Sequence, residues 1–202
     1  MTSAPIIVSR GDALGEPYRR RITEVYVRAF ADDFRAFSRD PVKLADAFEH
    51  MLLLERFHVA LVDGEPAGLA SLTEGDEQLF DPDPREIRRH LGLVRGSLCA
   101  HVVRSWFMAV ADDAAPGRGE IGFVATEPAF QGRGVATALL RHLIALPGYR
   151  EFVLEDIKDT NAAALSLYGK LGFEVFKRRR VRFARAGGFT ELLSMRRDAP
   201  GD

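Results

Sequence analysis

The sequence predicts an α/β fold, and three observations lead there. The chain has 202 residues, the length of one domain with a full core. Its hydrophobic fraction of 47% and charged fraction of 28% are those of an ordinary globular protein. Apolar residues alternate at period two in some segments and recur every three or four residues in others, so strands and helices interleave along the chain. The expectation is a single domain spanning 1–202.

The elements follow in order. Ile6-Ile7-Val8 is β-branched and reads as a strand, after which Ile22, Val25, Tyr26 and Ala29 repeat at helical spacing. Asp40-Pro41 supplies a cap and a first helical residue for a second helix with Leu44, Ala47, Phe48, Met51 and Leu52 on one face. Phe57 to Val62, the turn Asp63-Gly64-Glu65, and Pro66 to Leu72 make an antiparallel hairpin. From Pro84 the apolar positions Ile87, Leu91, Val94, Leu98, Val102 and Ala109 predict a long amphipathic helix to about 110, with Gly92 and Gly96 as places where it can break. A polar loop over 112–119, a strand at Ile121–Thr126, a helix over 134–146, a strand at Phe152–Ile157, a helix over 161–171 and two strands near 174–183 and 189–196 complete the chain.

Composition excludes several function classes. With 28 Lys and Arg against 29 Asp and Glu, a net charge of −1 offers no chain-wide field for nucleic acid or an anionic membrane. The balance conceals an asymmetry: residues 63–86 hold eight acids and one Arg, and residues 176–197 eight Lys or Arg and one Glu. These runs read either as solvated strand faces and loops or as a cation-accepting groove beside the acids. One cysteine and five scattered His, with no CxxC or HExxH spacing, predict no metal site and a reducing, cytoplasmic setting. The longest apolar run, Trp106 to Ala111, falls far short of the roughly 20 residues that a spanning helix needs, and the N-terminus lacks the order of a signal peptide.

The most informative stretch runs from Glu120 through Gln131-Gly132-Arg133-Gly134-Val135-Ala136-Thr137. A strand leads into a glycine-bearing turn and then a helix, so backbone N–H groups and the positive end of the helix dipole face one place, an anion cradle. A P-loop is excluded because no Lys stands where a terminal phosphate needs one. A dinucleotide site is a closer rival, with Glu155 about twenty residues on. It fits less well, because Glu127-Pro128-Ala129-Phe130 separate strand from turn and an antiparallel hairpin precedes it.

Gln131-x-x-Gly134-x-Ala136 resembles the Q/R-x-x-G-x-G/A signature of the GNAT family of acetyl-CoA-dependent N-acyltransferases. Asn161-Ala-Ala-Ala-Leu-Ser-Leu-Tyr168-Gly-Lys170-Leu-Gly172-Phe173 resembles the second motif of that family, N-x-x-A-x-x-L-Y-x-K-x-G-F. The motifs cover about residues 119–175, and the order of elements extends the resemblance over nearly the whole chain. The segment from Phe80 to Gly119 departs from the minimal fold by its length.

The resemblance implies a mixed, mostly antiparallel central sheet flanked by helices, with the helical segment of about 84–110 inserted before the central strand that binds coenzyme A. It implies that the two central strands part to admit acetyl-CoA. The backbone of Gln131, Gly132, Arg133, Gly134, Val135, Ala136 and Thr137 would hold the pyrophosphate, and the edge of Val124, Ala125 and Thr126 the pantetheine arm. A bulge near Ala125 would leave one N–H facing the thioester oxygen. Asn161 is both a helix cap and an amide contact to the coenzyme. Tyr168 matches the Tyr that protonates the departing thiolate, its alternative role being packing. Glu120 is the candidate general base, acting through water on the acceptor ammonium, with Glu155 and Asp156 as alternatives and a plain strand-edge charge as the other reading. His90, His101 and Trp106 receive no role. The implied reaction is direct acetyl transfer, in a ternary complex, to a primary amine of a small molecule or peptide, by a cytoplasmic monomer or homodimer. A regulatory acyl-CoA-binding module without turnover is the alternative.

Overall fold

The computed structural model describes residues 4–107, 115–181 and 188–200. The elements are β1 (Ile6–Arg10), α1 (Glu16–Ala29), α2 (Ala31–Phe34), α3 (Pro41–Phe48), β2 (Phe57–Val62), β3 (Glu65–Glu74), α4 (Pro84–Leu91) and α5 (Leu93–Val102). After a π-helical turn at Val103–Phe107 come β4 (Arg118–Thr126), α6 (Val135–Leu143), β5 (Glu151–Lys158), α7 (Ala162–Lys170), β6 (Glu174–Arg180) and β7 (Glu191–Asp198). Local chemistry sets several boundaries. Asp40 accepts from the N–H groups of Val42 and Lys43, and Asp83 from that of Arg85, each followed by a proline in the first turn. Such caps stabilise a helix by about 1 kcal/mol. Asp63 and Gly64, at φ 53° and 78°, both take the positive φ that a tight two-residue hairpin turn requires between β2 and β3.

The seven strands form one sheet in the order β1-β2-β3-β4-β5-β7-β6. All neighbours are antiparallel except β4 and β5. That parallel pair needs a crossover, which α6 supplies. Against one face pack α1, α3, α4 and α5 in a core that includes Ile22, Phe48, Leu69, Phe80, Ile87 and Ala125. Tyr26 is its hub, with ring centroids 5.4–5.8 Å from Phe30, Phe34, Phe80 and Phe123. Aromatic pairs at such separations contribute about 0.5–1.5 kcal/mol each beyond burial. The other face carries α6 and α7, with Ile121, Leu140, Leu143, Leu154, Tyr168 and Phe173 in a second core.

The predicted long helix is two helices. Gly92, at φ 80° and ψ 169°, breaks it, and the phase resets at the break. In α5 the buried residues are Gly96, Cys99 and Ala100, while Val94 and Leu98, predicted to face the core, are 84% and 51% exposed. A positive-φ glycine between two helices rotates the second against the first, so a spacing counted across it assigns the wrong face. Residues 108–110 of the predicted helix, 112–114 of the predicted loop, and Phe183 at the end of a predicted strand lie outside the described residues.

The two charge runs are divided among many partners. Glu77 pairs with Arg56, Glu65 with Arg21, and Asp83 caps α4. Arg178 and Arg180 share Glu191, and Arg179 holds Asp156.

Candidate active site

The site begins where the central strands separate. β4 and β5 pair through only three rungs, Arg118↔Glu151, Gly119↔Phe152 and Glu120↔Val153, and beyond them the strands part. Each strand bulges at the parting. Three steps of β4, Gly122 to Ala125, span two steps of β3, and Phe123 sits at φ 47°. Likewise Leu154 to Ile157 of β5 spans two steps of β7, with Asp156 at φ 52°. A left-handed non-glycine residue costs roughly 1–2 kcal/mol, so each bulge is held by its surroundings. Phe123 turns its ring among Tyr26, Phe30 and Phe80 at 5.3–5.5 Å. The Asp156 carboxylate takes both its bonds from Arg179 Nη2, at 2.8 and 2.9 Å.

Past the bulge, Val124, Ala125 and Thr126 keep their β3 side, where Ala125 faces Leu69 and Thr126 faces Gly68, and leave their β5 side unpaired by that strand. The chain then makes a 3-10 turn at Pro128–Phe130 and enters α6 through Gly132 at φ 74° and Gly134 at φ 85°. Nothing lies within 4 Å of where a Cβ would stand on either glycine, so a group the size of a phosphate has open access to this backbone. The helix closes its first recorded bond between Ala138 N–H and the Gly134 carbonyl, leaving the N–H groups of Val135, Ala136 and Thr137 at the open end. The Gln131 and Arg133 N–H groups are spent on long turn bonds of 3.3 and 3.4 Å. The Arg133 guanidinium lies over the Phe130 ring. Open glycines, free amides and a helix dipole fit the pyrophosphate of a coenzyme.

Tyr168 is buried in the core shared by α6 and α7, its ring 6.2 Å from that of Phe173. Burial pushes its phenol up to about 12, so it stays protonated across the ordinary pH range. No hydrogen bond to its hydroxyl is found among the described residues. Asn161 caps α7, its Oδ1 accepting from Ala164 N–H at 3.2 Å, which leaves its amide NH2 for other uses.

Glu120 stands on the last rung, half-buried, across from Thr73 on β3 and Val153 on β5. Ile121 faces the α6–α7 core, so by the pleat Glu120 and Gly122 face the opposite side, with Ser71 and Thr73 beside them. Tyr168 and Glu120 therefore lie on opposite faces of the sheet, with the parting between them. Glu155 and Asp156 lie in the β5 bulge, and Asp156 is committed to Arg179.

Sequence reasoning missed Ser71, 1% exposed, whose Oγ is an enclosed side-chain polar atom with no hydrogen-bond partner among the described residues. An orphan of this kind costs about 1–3 kcal/mol. Its signal was the pair of hydroxyls, Ser71 and Thr73, at the core-facing positions that follow Leu69. A second feature also went unseen, His58 Nδ1 lying 3.2 Å from His142 Nε2. Cys99 is buried and its thiol pushed up to about 12, which makes it inert. Among the described residues no group of three or more His, Cys, Asp or Glu is placed to hold a metal ion, and no helix is long and apolar enough to cross a membrane.

Comparison with known proteins adds three findings. The model of the acetyltransferase (GNAT) family matches residues 20–173. Over 80 residues the chain is 38% identical to the N-alpha-acetyltransferase RimI of Mycobacterium tuberculosis, covering 40% of this chain and 49% of that protein. The chain spans about half the length of the curated relatives it matches. Among solved structures it superposes on an N-acetyltransferase of Staphylococcus aureus Mu50, with a TM-score of 0.64 and 18% identity over 95% of this chain and 100% of that one. It also superposes on the YncA protein of Salmonella typhimurium with its cofactor acetyl-CoA, with a TM-score of 0.55 and 22% identity over 98% and 95% of the two chains.

Proposed function

As the chain belongs to the acetyltransferase (GNAT) family, we propose that it moves an acetyl group from acetyl-CoA to a primary amine of a small molecule or peptide, by direct attack in a ternary complex. The observation that carries the reading is the pair of bulged, parting strands with an open glycine cradle at one end. Acetyl-CoA supplies the activated acyl thioester, and the neighbour that holds this coenzyme supports the choice.

Each residue then has a task. The N–H groups of Gly132, Gly134, Val135, Ala136 and Thr137 bind the pyrophosphate, and the free edge of Val124 to Thr126 aligns the pantetheine arm by main-chain bonds. The bulge at Phe123 turns a backbone N–H of β4 toward the gap, where a donor stabilises charge growing on the thioester oxygen. Tyr168, with its phenol at about 12 against about 8.5 for a free thiol, donates a hydrogen bond to the leaving sulfur without surrendering its proton outright. From the other face Glu120 takes a proton, through water, from an acceptor that is an ammonium at pH 7. Without that step the nitrogen has no lone pair to attack with. The RimI relative is named an N-alpha-acetyltransferase, which favours a peptide α-amine among the acceptors.

Thiol release from acetyl-CoA with a panel of polyamines, amino acids, aminoglycosides and short peptides, read with the mass of the product, tests the reading. Acetylation of one class is expected. Coenzyme binding without any thiol release would replace the enzyme by a regulatory acyl-CoA-binding module.

A further inference from the structure

We propose that Arg28 of α1 is a positioning residue for acetyl-CoA: it holds the mostly buried carboxylate of Glu127 where the free edge of β4 passes into the pyrophosphate turn, and so keeps that entry in the shape the coenzyme binds. The inference rests on the reading of the coenzyme site given above.

Glu127 is the first residue after Thr126, the end of β4, and it heads the turn that leads to the cradle. Its N–H donates to the Ala67 carbonyl at 2.9 Å, and its carbonyl accepts from Phe130 N–H at 2.9 Å, the bond that closes the 3-10 turn. Gly132 and Gly134 follow at positive φ, in open space on the side where a Cβ would stand. Two glycines so close together leave the cradle a wide choice of backbone shapes. What fixes it is its two ends, α6 seated through Val135 and Leu139 in a buried core, and Glu127.

The Glu127 side chain is 13% exposed, and Arg28 Nε donates to its Oε1 at 2.8 Å across 99 positions of sequence. A charge-assisted bond of this length, to a carboxylate largely out of water, holds more firmly than a surface pair. The guanidinium is braced in turn. Arg28 lies 3.6 Å from Glu24 one turn back on α1, Glu24 accepts from Arg20 Nε at 3.0 Å, and Arg20 Nη1 donates to Asp46 of α3 at 2.6 Å and to Glu49 at 3.2 Å. Charges alternating one turn apart on the helix fix where Arg28 points. Phe30, two residues on, sets its ring 5.3 Å from that of Phe123, so the same end of α1 touches both the bulge and the end of the free edge. On the β5 side α2 offers Asp33 at 3.9 Å from Lys158, both about half exposed, a contact that contributes little.

Removing Arg28 leaves a mostly buried carboxylate without its counter-charge, which is the costly way to break such a pair. The carboxylate relieves that cost by turning out to solvent, and the turn it heads moves with it. Acetyl-CoA then finds the binding shape populated for only a fraction of the time, and its apparent affinity drops by that fraction. Once bound, the coenzyme restores the shape through its own main-chain bonds, so the rate at saturation holds. The signature is a raised KM for acetyl-CoA with little change in kcat.

The test compares Arg28→Gln, Arg28→Lys and the Arg28→Gln/Glu127→Gln double variant, with Glu127→Gln completing the cycle and Gly134→Asp as the reference for a damaged cradle. Each is studied in the full chain by thermal melting, acetyl-CoA calorimetry and steady-state kinetics with the best amine of the panel. For Arg28→Gln we expect acetyl-CoA affinity down about five- to tenfold, KM for acetyl-CoA up by the same factor, and kcat within threefold. Arg28→Lys, which keeps the charge, should recover part of the affinity. In the double variant a neutral amide has no charge to strand, so affinity should return to within threefold of wild type, a coupling that a general loss of stability does not produce. An affinity for Arg28→Gln within twofold of wild type, while Gly134→Asp binds weakly, overturns the role of Arg28 alone. If Gly134→Asp also binds as wild type does, the coenzyme site fails and the role of Arg28 with it. A double variant as weak as Arg28→Gln shows that Arg28 does not act through Glu127 and overturns the proposal. A lowered Tm and kcat with KM for acetyl-CoA unmoved makes Arg28 a structural residue and overturns it as well.

Discussion

Acid should loosen this fold before its carboxylates protonate, and the histidine pair is the reason. His58 on β2 is 7% exposed, and its ring faces that of His142 near the end of α6, with Nδ1 and Nε2 3.2 Å apart. Burial first, then the His142 ring and the nearby Arg10, bring the His58 imidazole down from 6.5 to about 4, against a small opposing pull from Asp12. Burial lowers His142 as well. Above pH 6.5 both folded and unfolded chains leave these rings neutral, and the pair adds no pH dependence. As pH falls from 6.5 toward 4, the unfolded chain takes up protons that the folded chain refuses, so stability drops. At 1.36 kcal/mol per unit, His58 alone accounts for a loss of at most about 3 kcal/mol over that window, and none below it. Urea unfolding at pH 7.5, 6.5, 5.5 and 4.5 measures the slope. His58→Leu removes the titrating ring, and its curve should be flatter than wild type by most of that amount. Parallel curves for the two proteins would refute the reasoning, because every other titrating group is common to both.

Two further outcomes concern the coenzyme. Gly134→Asp places a side chain at φ 85° and a negative charge at the helix N-terminus, so acetyl-CoA affinity by calorimetry should fall at least tenfold in a folded protein. Unchanged affinity would move the pyrophosphate elsewhere. Tyr168→Phe should keep the affinity and lower kcat by 10²-fold or more, since the ring still packs beside Phe173 while the donor to sulfur is gone. A kcat within twofold of wild type would return Tyr168 to packing.

The sequence disclosed most where a local rule decides. Asp40 precedes a proline and caps its helix, and Asp63-Gly64 makes the hairpin, because each outcome depends on atoms within three residues. Gly134 and Asn161 were legible for the same reason, standing at the N-caps of α6 and α7. The phase of α5 was not, since one positive-φ glycine undoes a periodicity count. Nor was the orphan hydroxyl of Ser71, or the meeting of His58 with His142, 84 positions apart in sequence. Both depend on register and on which strand lies under which helix, and a register slip of one residue would turn Ser71 to the other face.

The three rungs between β4 and β5 have a consequence for cohesion. They are the hydrogen-bonded seam between a four-stranded half, β1 to β4, and a three-stranded half, β5, β7 and β6. With so few backbone bonds across it, the seam depends for cohesion on the core in which Ile121 and Leu72 of one half meet Phe152 and Leu154 of the other. A pantetheine arm bonded along the free edge of Val124 to Thr126 would lengthen the seam from one side, so the co-substrate would also act as a suture. Amide hydrogens at that edge should exchange more slowly with acetyl-CoA bound, and each release of spent coenzyme would let the two halves breathe again.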